Sequence, residues 1–436
     1  MNTVLLRQDC RARVSMLLGL ACVGFASGQP YPNIRYLPRA SGGLILESAG
    51  HCISGDGRFV GGNSWDESGR PAYRWGGPGV TFLTRIGALP SSFAGATVQA
   101  FSHDGEIAVG TSSSFFYSNE AFVSYSPGFV FGLGVLDERF NNSYANGVSA
   151  DGNVVVGTLQ RAVPSGFTAF RWTPSEGMRE LPALAEAPQN WRGEARGVSA
   201  DGRVIVGWSG LGAAPTEVAV RWVDGGLPQP LGDIPGGSQS STAIAASADG
   251  GVIVGTIRPL PPGLESQLFR WTESDGMQLL GNLPGRGDAT EAALAVSADG
   301  TFVVGVASSE LYTEEAMIWE PFNGLRRIAT LAGDASLFQL DRATGISADG
   351  RVISGTATIS TGFGRTVAWR AELWPPRCRR EDIDNDRVVG LTDLATLLSN
   401  FGEEAAQYYD GDLTLDRLVS LSDLAVLLRA FGTSCE

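Results

Sequence analysis

The C-terminal segment carries oxygen-bearing side chains at a spacing that suits calcium. Two loops, offset by 30 residues, place them at positions 1, 3, 5 and 12: Asp382, Asp384, Asp386 and Asp393, then Asp412, Thr414, Asp416 and Asp423. Position 7 (Val388, Leu418) would offer a backbone carbonyl and position 9 (Gly390, Ser420) a water. Ca²⁺ takes about six to eight oxygens in a flexible geometry, so each loop is predicted to wrap around one ion.

Two departures weaken this pattern. Arg387 and Arg417 stand at position 6, where a tight turn needs glycine, and Thr414 brings no charge. The first loop therefore has one carboxylate more than the second, which predicts tighter binding at the first loop. The alternative is a pair of degenerate loops held together by their helices and a disulfide.

A short helix is predicted after each loop, because apolar residues recur there at helical spacing and a glycine follows. The two sets are Leu394, Leu397, Leu398 and Phe401 with Gly402, and Leu424, Leu427, Leu428 and Phe431 with Gly432. From Cys378 to Glu436 there are 12 acidic residues and 5 arginines, so this segment has a net charge of −7.

The duplicated loops with Asp at position 12 resemble those of type I dockerins. Cys378 and the ending Phe431-Gly432-Thr433-Ser434-Cys435 are similar to the GC-type dockerin domains of exported bacterial proteins. The resemblance implies a small α-helical module with paired EF-hand-like calcium loops. It also implies a cohesin-like partner or a cell-surface anchor, contacted through Leu391, Thr392, Leu421 and Ser422.

The rest of the chain offers few residues for catalysis. The protein has 436 residues, a formal charge of −14 and 2 histidines, His51 and His103. These numbers argue against a nucleic-acid partner, a histidine-based triad and a multi-histidine zinc site. Both histidines flank the first two turns of a repeat, where we expect them to be solvated.

That repeat fills most of the chain. The phrase Ser-x-Asp-Gly recurs at steps of 48, 47, 50, 48, 50 and 50 residues, with Asp56, Asp104, Asp151, Asp201, Asp249, Asp299 and Asp349. Small residues precede each phrase and a β-branched run follows it, so each phrase predicts a tight hairpin. The seven aspartates are expected to build these turns rather than to form a ligand ring.

A third strand follows each hairpin and carries an aromatic residue that is expected to fill the space between neighbouring units. These residues are Trp75, Tyr125, Trp172, Trp222, Trp271, Trp319 and Trp369. A fourth run closes each unit. Four short strands repeated seven times predict an all-β fold, a seven-bladed β-propeller over residues 29–374. A parallel β-helix, the alternative, would need a much shorter period.

The ends of the repeat array suggest how the ring closes. Residues 34–38 form a strand without a hairpin of its own, and the last repeat lacks a fourth strand. We therefore expect the N-terminal strand to complete the last blade and to remove an open sheet edge.

The repeats resemble those of the extracellular HAF repeat proteins over residues 33–373. The resemblance rests on Ala169-Phe170-Arg171-Trp172, on Gly177-Met178 and on residues 148–152, although Thr168 stands where the family has histidine. The family implies an exported repeat protein and adds no catalytic residues.

Export is also predicted by the N-terminus. Arg7, Arg11 and Arg13 precede the apolar run 14–26, and a small-residue cleavage site follows, so residues 1–28 indicate a signal peptide. Lipidation at Cys22 is the alternative. No other apolar run is long enough to span a bilayer, so a secreted, extracellular or cell-surface protein without a transmembrane segment is expected.

Cleavage of the signal would leave three cysteines. Cys52 lies on a predicted innermost strand and is expected to be a buried free thiol. Cys378 and Cys435 bracket the segment 378–436, which follows a linker at 375–377, and they are predicted to form a disulfide in an oxidising compartment.

A ligand face is predicted from loop lengths. The connections between strands two and three, and between blades, share one face and are long. Their aromatic residues Tyr117, Trp191 and Tyr312 are candidates for contacting a glycan or peptide, unless they only pack the loops.

Two functions remain open: a non-catalytic propeller for recognition or scaffolding, and a polysaccharide-active glycosidase or lyase with its site on this face. The acids of the long loops form no recognisable catalytic motif, which favours the first; they are Glu186, Glu194, Glu265, Asp288 and Glu314.

Overall fold

A computed structural model gives the structure of most of the chain. It describes residues 33–38, 40, 47–67, 69–76, 82–90, 94–185, 187, 192–211, 216–234, 239–259, 266–283, 292–310, 312–321, 324–331, 338–359, 365–373, 381–383, 388–403, 411–413 and 418–433. The predicted signal peptide 1–28, the linker 375–377, Cys378 and Cys435 lie outside these ranges. Within them, no helix has the length and apolar character needed to cross a membrane.

The described strands form seven antiparallel sheets, which are the blades of a propeller. The blades are numbered one to seven in the order of their innermost strands along the chain. These strands are β2 (Ser48–Ile53), β7 (Ala94–Phe101), β11 (Asn142–Val148), β15 (Gly193–Val198), β19 (Gln239–Ala246), β23 (Ala292–Val296) and β27 (Phe338–Ile346). The second strands are β3 (Val60–Ser64), β8 (Ala108–Ser112), β12 (Val155–Ala162), β16 (Val204–Leu211), β20 (Val252–Pro259), β24 (Val303–Ala307) and β28 (Val352–Ile359).

The outer two strands complete each blade. The third strands are β5 (Ala72–Gly76), β9 (Glu120–Ser126), β13 (Ser165–Thr173), β17 (Thr216–Val223), β21 (Gln267–Thr272), β25 (Glu315–Glu320) and β29 (Thr366–Glu372). The fourth are β6 (Phe82–Gly87), β10 (Phe129–Gly134), β14 (Gly177–Glu180), β18 (Pro228–Pro230), β22 (Gly276–Leu279), β26 (Gly324–Arg327) and β1 (Asn33–Tyr36). A two-residue strand, β4 (Gly69–Arg70), joins the sheet of blade two.

The N-terminal strand closes the ring. β1 pairs antiparallel with β29, so that Asn33 lies opposite Glu372 and Tyr36 opposite Trp369. Blade seven therefore takes one strand from the N-terminal end of the propeller and three from its C-terminal end. The predicted fold and its closure are both confirmed.

Each Ser-x-Asp-Gly phrase forms the same turn. In blade three the Gly152 N–H donates to the Ser149 carbonyl at 3.0 Å, and Gly152 takes a φ of 76°, which favours glycine. The Ser149 hydroxyl donates to Asp151 at 2.6 Å, and Asp151 accepts the N–H of Asn153 at 3.0 Å. The same hydrogen bonds recur in the other blades. The repeated aspartates are structural, as predicted.

The turns are also joined to one another by backbone hydrogen bonds. The Ala150 N–H donates to Ala200, Ala200 to Ala248, and so on around the axis, until the Ala348 N–H donates to Gly55. The Asp56 N–H then donates to His103, and His103 to Ala150. These bonds, at 2.7–3.0 Å, form a closed circle on the turn face.

A β-bulge occurs at one equivalent place in every innermost strand. In blade three, Asn146 is the extra residue between Ala145 and Gly147. The bulge brings the Tyr144 carbonyl over the second strand, where a Cβ on Gly157 would lie 1.9 Å from its oxygen. The same clash, at 1.9–2.1 Å, exists at the equivalent glycine of every blade. The second-strand glycine of the repeat is therefore the residue that permits the bulge.

Large aromatic side chains fill the space between blades, with one correction. Trp75, Trp222 and Trp369 are fully buried against neighbouring blades. The place opposite the residue two before the second-strand glycine holds tryptophan in five blades, but in blade two it holds Ser124, opposite Ala108. Tyr125, one residue later, points to the other face of the sheet, where it is 45% exposed. The prediction that Tyr125 fills the space between blades is wrong because it ignored this parity.

Three short helices are described. α1 (Ile328–Leu331) is a single turn after β26, while α2 (Leu391–Ser399) and α3 (Leu421–Ala430) follow the two acidic loops, as predicted. The segment containing α2 and α3 has its own apolar core: Val389, Leu397, Leu413, Val419, Leu427 and Ala430.

Candidate functional site

The bulges direct one side chain per blade into the central channel. These residues are His51, Gln99, Asn146, Arg196, Ile244, Leu294 and Thr344. All of them line a channel of about 950 Å³, a volume typical of small-molecule sites. The residues on either side of each bulge are mostly small, whereas the bulge residue differs from blade to blade. The bulge residue is therefore a variable position set between small residues, and in every blade it lines the channel.

One group of polar residues in the channel is built on blade one. The loop after β3 places β4 parallel to β7, with Arg70 paired with Gly95. The Arg70 Nε donates to the Asn63 Oδ1 at 2.9 Å, and the Asn63 amide donates to Thr97 at 2.8 Å. The same amide nitrogen lies 3.4 Å from the His51 Nε2. Arg70 is thus held at the channel by a non-repeated strand.

His51 is half-buried in the channel, which corrects the prediction that it is solvated beside a turn. Burial, together with the positive charge of Arg70, lowers the pKa of His51 to about 4. The imidazole is therefore neutral near pH 7. His103 is exposed, as predicted.

A second group is built on blades six and seven. β27 has an extra bulge at Asp341, between Leu340 and Arg342. Arg342 forms an ion pair with Glu314, in which its Nε lies 2.8 Å from Oε2, and the Thr358 hydroxyl donates to Asp341 at 2.7 Å. Burial, reinforced by the negative charge of Glu314, raises the pKa of Asp341 to about 6. A buried carboxyl group with a raised pKa thus lies in the channel next to the Arg342–Glu314 ion pair.

The aromatic candidates of the long loops do not meet at this channel. Tyr117 is half-buried with its ring centroid 6.4 Å from that of Phe116, and Tyr312 is 43% exposed. Neither is among the described residues that line the channel, and Trp191 lies outside the described residues. Of the loop acids named from the sequence, Glu314 lines the channel, whereas Glu194 pairs with Arg196 at 2.5 Å. Glu186, Glu265 and Asp288 are not described.

The sequence analysis did not identify the seven bulge residues as channel residues. It also missed Arg70 and Asp341. A signal for the bulge ring was present, because aligning the seven repeats shows one variable position beside small residues. Arg70 and Asp341 had no such signal, since both belong to non-repeated segments. Cys52 was predicted correctly: it is a buried free thiol, and burial raises its pKa.

The acidic loops are partly described. Asp382 and Asp393 of the first loop, and Asp412 and Asp423 of the second, are buried. The Asp393 Oδ1 accepts the N–H of Ile383 at 2.5 Å and its Oδ2 that of Gly390 at 2.7 Å, so position 12 folds back beside position 1. Asp423 accepts the N–H of Ser420 at 2.8 Å. Asp384, Asp386, Thr414 and Asp416 lie outside the described residues.

The side chains at positions 7 and 10 of the loops are exposed. Val388 and Leu418, at position 7, are 41% and 39% exposed. Leu391 and Leu421, at equivalent places on α2 and α3, are 75% and 72% exposed. Within the described residues, no group of three or more acidic, histidine or cysteine side chains is placed to hold a metal ion, so calcium binding stays a prediction.

Comparison with known proteins identifies the fold. No protein-family model and no curated protein matches the chain. An oligogalacturonate lyase from Vibrio parahaemolyticus is 9% identical with a TM-score of 0.52, covering 79% of this chain and 98% of the lyase. TolB from Acinetobacter baumannii is 12% identical (TM-score 0.40, 72% and 80% covered). The β-propeller domain of the Trilobed protease from Pyrococcus furiosus is 10% identical (TM-score 0.44, 72% and 98% covered).

The chain is therefore a seven-bladed β-propeller followed by a short two-helix segment. Identities this low establish a shared fold with the lyase and nothing about substrate.

Proposed function

We propose that this is an exported, non-catalytic recognition protein whose propeller binds a ligand in its central channel. A calcium-binding, dockerin-like C-terminal segment would attach it to a cohesin-like partner or a cell surface. The observation that carries the proposal is the ring of bulge residues, since seven different side chains presented to one channel are suited to recognition. Secretion rests on the N-terminal signal and on the resemblance to extracellular HAF repeat proteins.

The channel is tested by screening the purified protein on a glycan array and titrating each bound glycan into variants. Arg196→Ala and Leu294→Ser, both in the channel, are expected to weaken binding at least tenfold. Phe116→Ala is the control, because this side chain is 86% exposed on a loop and does not line the channel. Loss of binding in the control alone would move the site to the loop aromatics.

Calcium binding is supported by the buried carboxylates at positions 1 and 12 of both loops. We expect Kd values of about 10⁻⁴–10⁻³ M, the range of extracellular modules, with the first loop tighter. Calorimetry on the whole protein should show Ca²⁺ uptake that Asp393→Ala weakens more than Asp423→Ala. Glu403→Gln, an acidic residue outside both loops, is the control. Absence of heat at about 10 mM Ca²⁺ would contradict this part of the proposal.

The disulfide between Cys378 and Cys435 is a further part of the proposal. In the chain-entropy model, joining the ends of a loop of about 57 residues contributes roughly 3–4 kcal/mol. Mass spectrometry of non-reduced peptides should find this pair and a free Cys52. A disulfide that contains Cys52 would contradict it.

A polysaccharide-active enzyme is the second candidate, and Asp341 favours it. A carboxyl group in the channel with a pKa of about 6, raised mainly by burial, has the property of a general acid in glycoside hydrolysis. Screening for reducing ends released from polysaccharides tests this candidate. Activity that Asp341→Asn abolishes while binding persists would replace recognition with catalysis.

A further inference from the structure

Departures from the sevenfold repeat gather on one side of the channel. Within the described sheets, blade two alone has a fifth strand, β4, which lies against the innermost strand β7. Such departures mark functional sites, because local regularity is given up there for a purpose other than folding. β4 places one charged side chain, Arg70, in the channel.

Arg70 differs from the other two arginines of the described channel lining in its partners. Arg196 is neutralised by Glu194, and Arg342 by Glu314. Arg70 uses its Nε on Asn63 and forms no ion pair with any described carboxylate. No described carboxylate therefore balances the positive charge of Arg70. The neighbouring His51 is neutral near pH 7 and adds no charge. A guanidinium whose Nε is fixed in this way can donate its remaining N–H groups to a planar anion such as a carboxylate.

The rest of the lining indicates what surrounds that anion. Threonine hydroxyls from blades six and seven also line the channel. Those of Thr344 and Thr356 donate to the Gly50 carbonyl at 2.9 and 3.2 Å, so their oxygens are left to accept hydrogen bonds from the hydroxyl groups of a ligand. Ile244 of blade five lies across the axis from the junction of blades one and two, and Leu294 lies beside it. The channel therefore provides a cation on one side, hydroxyls around it and an apolar surface opposite.

We propose that Arg70 binds the carboxylate of a hexuronate unit in an acidic oligosaccharide that occupies the channel. The sugar hydroxyls would bond to the threonines, and the apolar face of the ring would lie on Ile244 and Leu294. The negative charge of Asp341 on blade seven repels the carboxylate and thereby orients the ligand toward Arg70. This inference rests on the proposed function, because it names the ligand class of the same channel.

Calorimetry with trigalacturonate, trimannuronate and the methyl ester of each tests the assignment. The wild-type protein should bind at least one of the two acids and bind its ester at least tenfold more weakly, since charge-assisted hydrogen bonds are lost. Arg70→Gln should weaken binding of the acid by the same factor and leave that of the ester unchanged. Arg70→Lys should be intermediate. Arg258→Gln is the matched control, because Arg258 pairs with Glu217 and does not line the channel.

The outcomes separate the inference from the proposed function. If the array shows neutral glycans bound in the channel and neither acid binds, the carboxylate assignment is overturned and recognition stands. If no glycan binds at all, recognition itself fails. Comparison of acid and ester on the wild-type protein decides the matter even if Arg70→Gln does not fold. An ester that binds as well as the acid overturns the inference.

Discussion

The turn face of the propeller and its central channel differ in how strictly they follow the repeat. On the turn face every blade repeats the same serine, aspartate and glycine, and one circle of backbone hydrogen bonds joins them. At the channel the same strands carry a different side chain in each blade, and β4 and the second bulge of β27 appear once. The comparison teaches that the constant positions of the repeat build the scaffold, whereas the variable bulge position is free to shape the channel.

The largest expected effect concerns the closure on which both regions depend. Deleting residues 29–40 removes β1 and leaves β29 as an open edge. We expect loss of the native monomer, measured as aggregation in size-exclusion chromatography and loss of cooperative melting. Deleting residues 375–436 is the control and should leave the propeller melting as before. A stable monomer without residues 29–40 would show that neither region needs the closed ring.

The next effect tests the link between glycine and bulge. Gly157→Ala places a Cβ 1.9 Å from the Tyr144 oxygen and should lower the free energy of unfolding by about 3 kcal/mol. Gly177→Ala has open space but a φ of 70°, and should lower it by about 1 kcal/mol. Denaturant titration measures both. Equal losses of stability would mean that the close approach of the Tyr144 carbonyl to Gly157 does not matter for the bulge.

The third effect is a pair of opposite pH dependences inside the channel. The pKa of His51 is lowered to about 4, so the unfolded chain binds its proton first and stability falls as the pH drops below 6.5. The pKa of Asp341 is raised to about 6, so the folded protein binds its proton first and stability rises as the pH drops through 6.

Between pH 7 and 5 each contribution should amount to about 1 kcal/mol after solvent screening. His51→Asn should therefore gain stability relative to the wild type on acidification, and Asp341→Asn should lose it. Melting curves at both pH values measure the two slopes. Slopes of equal sign would contradict the different environments of these residues.

The smallest effect contrasts one residue from each region. Asp151→Ala removes the acceptor for Ser149 and Asn153 and should cost about 1 kcal/mol of stability with no change in ligand binding. Arg196→Ala should change stability by at most about 0.5 kcal/mol, because its ion pair is half exposed, yet weaken binding. If Asp151→Ala weakened ligand binding and Arg196→Ala did not, the ligand site would lie on the turn face rather than in the channel.

The sequence predicted what repeats and missed what does not. The period, the turns and the closing strand could be predicted because seven copies of Ser-x-Asp-Gly reinforce one another, and the unpaired strand at 34–38 had one possible partner. Tyr125 was misplaced because an aromatic residue indicates a strand but not its parity. Arg70 and Asp341 were missed because a loop strand and a second bulge depend on pairing between distant segments. For the acidic loops, the sequence predicted the side chains that would bind calcium. The structure adds that the aspartates at positions 1 and 12 of both loops are buried.

The position of β29 bears on how the protein transmits mechanical load. The propeller chain leaves through Leu373, directly after a strand that is hydrogen-bonded to β28 on one side and β1 on the other. If the C-terminal segment anchors the protein as proposed, a pull on it would act on a strand held at both edges, and two ladders would have to break. If the last strand were the outermost of its blade, one ladder would resist the same force. The strand taken from the N-terminus thus adds a second ladder to the end of the propeller that would carry the load.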